Sequence, residues 1–131
     1  MEAVRENIPR ITGFVDAALE QMDCGVKAQM AIDIALDEIL ANICLYAYAP
    51  GTGTVEVYVD HDAENRTAVI TFRDSGVPFD PLQREEPDTT LTAEEREIGG
   101  LGIFLVRKTM DAMEYRREGG FNVLTIRKKI S

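Results

Sequence analysis

The sequence has few of the residues that hold metals or form disulfides. It contains two cysteines, Cys24 and Cys44, which stand 20 positions apart, and one histidine, His61. No paired cysteines or Cys/His cluster accompany them, which argues against a metal site and against a disulfide. Reduced thiols of this kind are typical of a cytoplasmic protein. His61 stands beside a polar turn, where we expect a solvated side chain rather than a catalytic one.

Long apolar runs and an excess of positive charge are also missing. No stretch approaches the ~18 apolar residues of a membrane-spanning helix, and no signal-peptide pattern opens the chain. These absences predict a cytoplasmic protein without a membrane partner. Asp and Glu outnumber Lys and Arg by 23 to 14, which gives a net charge of −9. Because this charge repels phosphate backbones, nucleic acid is not an expected partner, and a phosphate-bearing ligand would need a cation or backbone amides.

The hydrophobic pattern predicts one domain over residues 1–131, long enough to bury its own core. A spacing of 3.6 residues indicates helices, and a spacing of two indicates strands. The predicted elements are helices near 7–24, 27–48 and 100–112 and strands near 54–59, 67–73, 113–117 and 121–128.

The central predicted helix carries two polar residues on one face. Glu38 and Asn42 are four residues apart, so their side chains project one turn above the other. The small residues Ala31, Ala35 and Ala41 surround them, which suits a cleft wall where a ligand packs closely. The alternative is a buried Glu/Asn pair satisfied by its neighbours, and the spacing alone favours that alternative.

Two further stretches suggest ligand contacts. Asp74 leaves a predicted strand and Gly76 follows, which places an acceptor at the rim of the sheet and lets backbone approach a ligand. The alternative is that these residues form only an Asp-Gly turn. Later, the run 99–102 opens a predicted helix, whose free amides and dipole suit phosphate oxygens. This run matches neither the phosphate-loop pattern nor the dinucleotide fingerprint. Between the two stretches, residues 79–98 are acidic and poor in apolar anchors, so they are predicted to form a lid.

Taken in order, these motifs resemble the ATP-binding fold of the GHKL group. Within that group, Tyr46-Ala47-Tyr48 and the run 95–103 are similar to single-domain anti-sigma-factor serine/threonine kinases. The resemblance implies an α/β two-layer sandwich. Its sheet would be mixed but mostly antiparallel and covered on one face by about three helices, with ATP between the central helix and the lid.

The resemblance also implies a role for each site residue. Asn42 would ligate Mg²⁺, and Glu38 would act as the catalytic base toward the attacking hydroxyl. Asp74 would accept a hydrogen bond from the adenine amino group, next to Gly76. The other implied positions are Gly99, Gly100, Leu101 and Gly102 at the phosphates and Thr125 or Asn122 at the adenine.

Two functions follow from the resemblance. In the first, the protein transfers the γ-phosphate of ATP to Ser or Thr of an antagonist (anti-anti-sigma) protein and controls a sigma factor; a homodimer is compatible with this. The alternative is a non-catalytic ATP/ADP-dependent binding switch, which stays open because Tyr46 and Ile98 replace the His and Arg of kinase members. A histidine kinase is disfavoured, since that class needs a helical domain with a phosphorylatable His.

Overall fold

The computed structural model describes residues 1–48, 53–78 and 100–130. The predicted lid at 79–98 and Gly99 lie outside the described residues. The helical elements are a 3-10 turn at Arg5–Asn7, α1 at Ile8–Gln21, α2 at Val26–Asn42, a π-helical turn at Ile43–Ala47 and α3 at Gly100–Thr109. The strands are β1 at Val55–Asp62, β2 at Thr67–Asp74, β3 at Ala112–Glu118 and β4 at Phe121–Lys129.

The four strands form one sheet in the order β1-β2-β4-β3, and every neighbouring pair is antiparallel. The predicted hairpin of β1 and β2 is confirmed, with Val55 opposite Asp74 and Asp62 opposite Thr67. The second hairpin turns at Gly119 and Gly120, whose φ angles of 58° and 84° suit the tight turn that joins β3 to β4.

The helices cover one face of this sheet, as predicted. Alternate residues of β2 point toward them, and the helices contribute apolar side chains that recur at helical spacing. The fully buried residues of this core include Val15, Leu19, Ile32, Leu36, Leu40, Ile70, Phe72 and Ile126. Within the described ranges, no helix is both long and apolar enough to span a membrane.

Helix α2 differs from its prediction at both ends. The first helix, predicted to reach residue 24, ends at Gln21, and Gly25 is the N-cap of α2. At the other end the helical path continues to Ala47, one residue short of the predicted end at Tyr48, and its last turn is π-helical. Asn42 is therefore the final residue of regular α-helix. Single π-helical turns are rare and are frequent at functional sites.

Candidate active site

Asn42 is a buried polar residue whose side chain is not satisfied. Its exposed fraction is 9%. In the described part of the chain, its Nδ2 atom is buried and has no hydrogen-bond partner. Such a group costs about 1–3 kcal/mol when it is left unpaired. Because native proteins pair most buried polar groups, this amide is a candidate for contact with a ligand.

Glu38 lies one turn before Asn42 on α2 and is half-buried. It forms no ion pair or hydrogen bond within the described ranges. The structure therefore does not support the alternative of a Glu/Asn pair satisfied by its neighbours. Ala35 is fully buried beside the pair, and Ala31 and Ala41 are half-buried, so the wall on which the two polar groups stand is closely packed.

Asp74 is held in place at the end of β2. Its side chain is 6% exposed, and Oδ1 accepts hydrogen bonds from the Gly76 amide and from Asn122 Nδ2, both at 3.0 Å. Asn122 lies directly opposite Asp74 on β4 and is 5% exposed. No described residue donates a hydrogen bond to Asp74 Oδ2. The protein thus fixes one carboxylate oxygen, and the other is able to accept a hydrogen bond from a ligand.

Gly76 allows a close approach of backbone, but the element that approaches is the π-helical turn. A Cβ atom at Gly76 would overlap the carbonyl group of Ala47. The amide of Val77 donates to the same carbonyl oxygen at 2.8 Å. Close packing against Ala47 therefore explains why a glycine stands at this position. Its predicted contact with a ligand stays a prediction.

Tyr48 connects the end of the central helix to the loop that follows Asp74 through hydrogen bonds. Its hydroxyl donates to the Thr54 carbonyl at 2.5 Å and accepts from the Ser75 amide at 2.8 Å. The ring also lies where a side chain at Gly53 would stand. The loop after β2 and the π-helical turn consequently form one connected unit, and this unit joins the Asp74 side of the site to the Asn42 side.

The glycines at the proposed phosphate position do open a helix. Helix α3 begins at Gly100, so Gly100, Leu101 and Gly102 form its first turn. The first amides of an α-helix have no partner inside the helix and carry the positive end of its dipole. They can therefore bind phosphate oxygens, which an acidic protein otherwise repels.

Thr125 is not brought to the site. It lies on the outer face of the sheet, where its Oγ1 is 3.5 Å from Thr71 Oγ1. Residues two apart on a strand share a face, so Asn122, three positions from Thr125, points to the other side, toward Asp74. The sequence indicated Thr125 or Asn122 on this strand. In the structure Asn122 contacts Asp74, and Thr125 does not.

Three residues around Asp74 were missed by the sequence analysis. Besides Tyr48, they are Tyr115, whose hydroxyl donates to Asn122 Oδ1, and Arg117, which donates to the Gly76 carbonyl at 2.8 Å. The register of the last hairpin could have found Arg117, because the Gly119-Gly120 turn places it opposite Asn122. The sequence had no comparable signal for Tyr48, whose partners depend on how the π-helical turn ends.

Fold and site together define an ATP-binding domain of the GHKL class, with an acidic group at the end of β2, an asparagine on the central helix and glycines that open α3. The chain belongs to the histidine kinase-like ATPase domain family, whose sequence profile matches residues 1–128. It is similar to the serine/threonine-protein kinase BtrW of Bordetella bronchiseptica, with 28% identity over 100 residues, which are 76% of this chain and 70% of that protein.

Solved histidine kinases share the fold. The Acinetobacter baumannii kinase AdeS superposes with a TM-score of 0.51 at 16% identity, over 79% of this chain and 47% of AdeS. The domain of the blue-light activated histidine kinase of Erythrobacter litoralis EL346 superposes with a TM-score of 0.58 at 13% identity, over 94% of this chain and 61% of that one. At these identities the likeness establishes the fold alone.

Proposed function

We propose that the protein binds ATP with Mg²⁺ and transfers the γ-phosphoryl group to a Ser or Thr hydroxyl of a partner protein. The observation that carries this proposal is the buried Nδ2 of Asn42, one helical turn from the Glu38 carboxylate, because neither group has a hydrogen-bond partner among the described residues. Asp74 Oδ2 and the first amides of α3 supply the other two contacts that ATP requires.

The described residues fit a magnesium ion. Mg²⁺ prefers oxygen ligands and usually takes only one or two from the protein, the rest coming from phosphates and water. The side-chain carbonyl of Asn42 would be such a ligand, and Nδ2, which has no partner among the described residues, could donate to a phosphate oxygen beside the ion. When bound, the ion neutralises charge on the phosphate oxygens.

Glu38 is the proposed catalytic base. The transfer breaks the bond between the γ-phosphorus and its bridging oxygen and forms a bond to the hydroxyl oxygen of the partner protein. The hydroxyl proton passes to the Glu38 carboxylate, and ADP leaves. Because this chemistry is mainly positioning and electrostatics, a carboxylate that has no ion-pair partner among the described residues is suited to the role.

The partner protein belongs to the proposal and is supported by relatives. BtrW is named as a serine/threonine-protein kinase, which favours a hydroxyl rather than a histidine as acceptor. By resemblance to anti-sigma-factor kinases, we propose an antagonist protein as the phosphorylated partner and a sigma factor as the protein under control. A homodimer would be compatible with both contacts.

A nucleotide-dependent binding switch is the second candidate, and one observation favours it. The loop after Asp74 is hydrogen-bonded to the end of the central helix through Ala47 and Tyr48. A change of nucleotide at Asp74 can therefore move this helix end and alter a binding surface without any phosphate transfer.

Labelled ATP separates the two functions. The γ-labelled nucleotide is incubated with a candidate antagonist protein from the same genome, beside a hydrolysis control without it. We expect Glu38→Gln to bind ATP normally but to transfer phosphate roughly 10²–10⁴-fold more slowly, since the variant keeps the shape and loses the base. Asp37→Asn is the matched control, because Asp37 is an exposed neighbour on the same helix.

The outcomes of this assay test the role of Glu38 and separate the kinase from the switch. Transfer that survives Glu38→Gln would remove Glu38 as the base. Tight ATP binding without transfer to any candidate would favour the switch over the kinase. Transfer that falls equally in the Asp37→Asn control would show that the effect is one of local charge.

A further inference from the structure

Three hydrogen bonds to described residues fix the orientation of the Asn122 side-chain amide. Nδ2 donates to Asp74 Oδ1 at 3.0 Å and to the Val77 carbonyl at 2.8 Å, and Oδ1 accepts from the Tyr115 hydroxyl. Rotating the amide by 180° would set its oxygen against two acceptors and lose both donations. The network therefore determines which end of the amide meets the carboxylate.

The strand register explains why these groups meet. Asn122 on β4 lies directly between Asp74 on β2 and Arg117 on β3. Tyr115, two residues before Arg117, shares its face of the sheet. Since Asp74 and Asn122 are both at least 94% buried, water contributes little to the orientation of either side chain.

We propose that Asn122, itself held by Tyr115, is a positioning residue that makes Asp74 selective for a purine with an amino group at position 6. The proposal rests on the proposed nucleotide binding. Two donors occupy Oδ1, so the ligand meets Oδ2, which can accept a hydrogen bond and has none to give when ionised. A 6-amino group donates to this oxygen, whereas the 6-carbonyl of guanine would face it acceptor to acceptor.

The hydrogen bonds from Tyr115 to Asn122 and from Asn122 to Asp74 should affect the choice of nucleotide as well as the stability of the fold. Without the Tyr115 hydroxyl, the Asn122 amide keeps both Nδ2 donations but loses the bond that holds its oxygen, so the amide and the Asp74 carboxylate that it contacts are positioned less precisely. Recognition of the amino group weakens, while contacts to the phosphates are untouched. A merely structural role for Asn122 would lower the affinity for all nucleotides by the same factor.

The test is calorimetric titration with three nucleoside triphosphates, ATP, GTP and purine riboside triphosphate, which lacks the 6-amino group. For Tyr115→Phe we expect ATP affinity to fall about 3- to 10-fold, the range of one lost hydrogen bond, and for Asn122→Leu about 10-fold or more. Affinity for the ligand without the amino group should change little. Thr125→Val, on the same strand but the opposite face, is the control and should leave all three affinities unchanged.

The outcomes separate this proposal from the one on which it rests. If the wild type binds no ATP, the proposed function fails. If it binds ATP but both variants keep the wild-type ratio of ATP to purine riboside triphosphate affinity, the positioning role is overturned. Should Asn122→Leu not fold, as judged by circular dichroism, Tyr115→Phe decides alone, because it removes only one hydroxyl.

Discussion

The two ends of the candidate site differ in how far their polar groups are hydrogen-bonded within the protein. Around Asp74, hydrogen bonds within the protein connect the carboxylate to Asn122 and Asn122 to Tyr115. Around Asn42, the buried amide nitrogen has no partner in the described ranges, and neither has Glu38. From this difference we expect that the protein itself organises the Asp74 end, whereas the proposed ligand would complete the Asn42 end.

A second place with unpaired buried oxygens lies away from the site, between α1 and α2. Asp16 and Asp33 each have a buried Oδ1 atom without a hydrogen-bond donor in the described residues. Burial first, and then the facing Asp16 carboxyl, raise the pKa of Asp33 to about 7. The Cys24 thiol also faces Asp33, and burial and this carboxylate raise its pKa. Here a shared proton, rather than a metal ion, can satisfy the unpaired oxygens.

The largest effect on stability should come from Gly76→Ala, at the junction of the two ends. The new Cβ would overlap the Ala47 carbonyl, and backbone cannot yield as a flexible side chain would. We expect the free energy of unfolding in urea to fall by about 3 kcal/mol, a value typical of overpacking.

Gly13→Ala is the matched control for this substitution. Gly13 lies in α1, and a Cβ there would meet no atom within 4 Å. It should stabilise the protein by up to about 1 kcal/mol through helix propensity. If Gly76→Ala costs no more than a surface change, the π-helical turn does not pack on this loop as described.

Two asparagine-to-leucine variants test the comparison directly. Asn122→Leu removes an amide with several partners and should lower the free energy of unfolding by about 1–3 kcal/mol, because Asp74 and Val77 lose a donor. Asn42→Leu removes an amide whose nitrogen is unpaired, so it should be neutral or stabilising by up to about 1 kcal/mol in the absence of nucleotide. Urea unfolding of the two variants measures this contrast, and equal destabilisation would contradict it.

These contrasts also show what could be predicted from the sequence. Glu38, Asn42 and the helix start at Gly100 follow from spacing along one element, and local periodicity specifies such positions. The partners of Asp74 could not be deduced so directly, because they depend on the register between three strands. Thr125 illustrates the difficulty, because it stands three residues from Asn122. Residues an odd number of positions apart on a strand point to opposite faces of the sheet.

The smallest effect concerns pH. Because the pKa of Asp33 is raised in the folded protein, the protonated form stabilises the fold. This contribution is complete below the ordinary pKa near 4 and is lost as the pH rises through about 7. After solvent screening, we expect a loss of about 1 kcal/mol between pH 5 and pH 8.

The measurement is urea unfolding at several pH values. Asp33→Asn should remove this pH dependence, while Asp37→Asn, an exposed control on the same helix, should keep it. An unchanged slope in Asp33→Asn would mean that the carboxyl pair does not share a proton.

The central claim is that both ends of the site bind one ATP molecule, and calorimetric titration of ATP with and without Mg²⁺ tests it. For the wild type we predict binding that Mg²⁺ strengthens. Asp74→Asn should weaken it by about 1.5–3 kcal/mol, the value of a charge-assisted hydrogen bond, whether or not Mg²⁺ is present. In Asn42→Ala, by contrast, Mg²⁺ should no longer strengthen binding. Unchanged ATP affinity in Asp74→Asn, or an undiminished effect of Mg²⁺ in Asn42→Ala, would contradict the account.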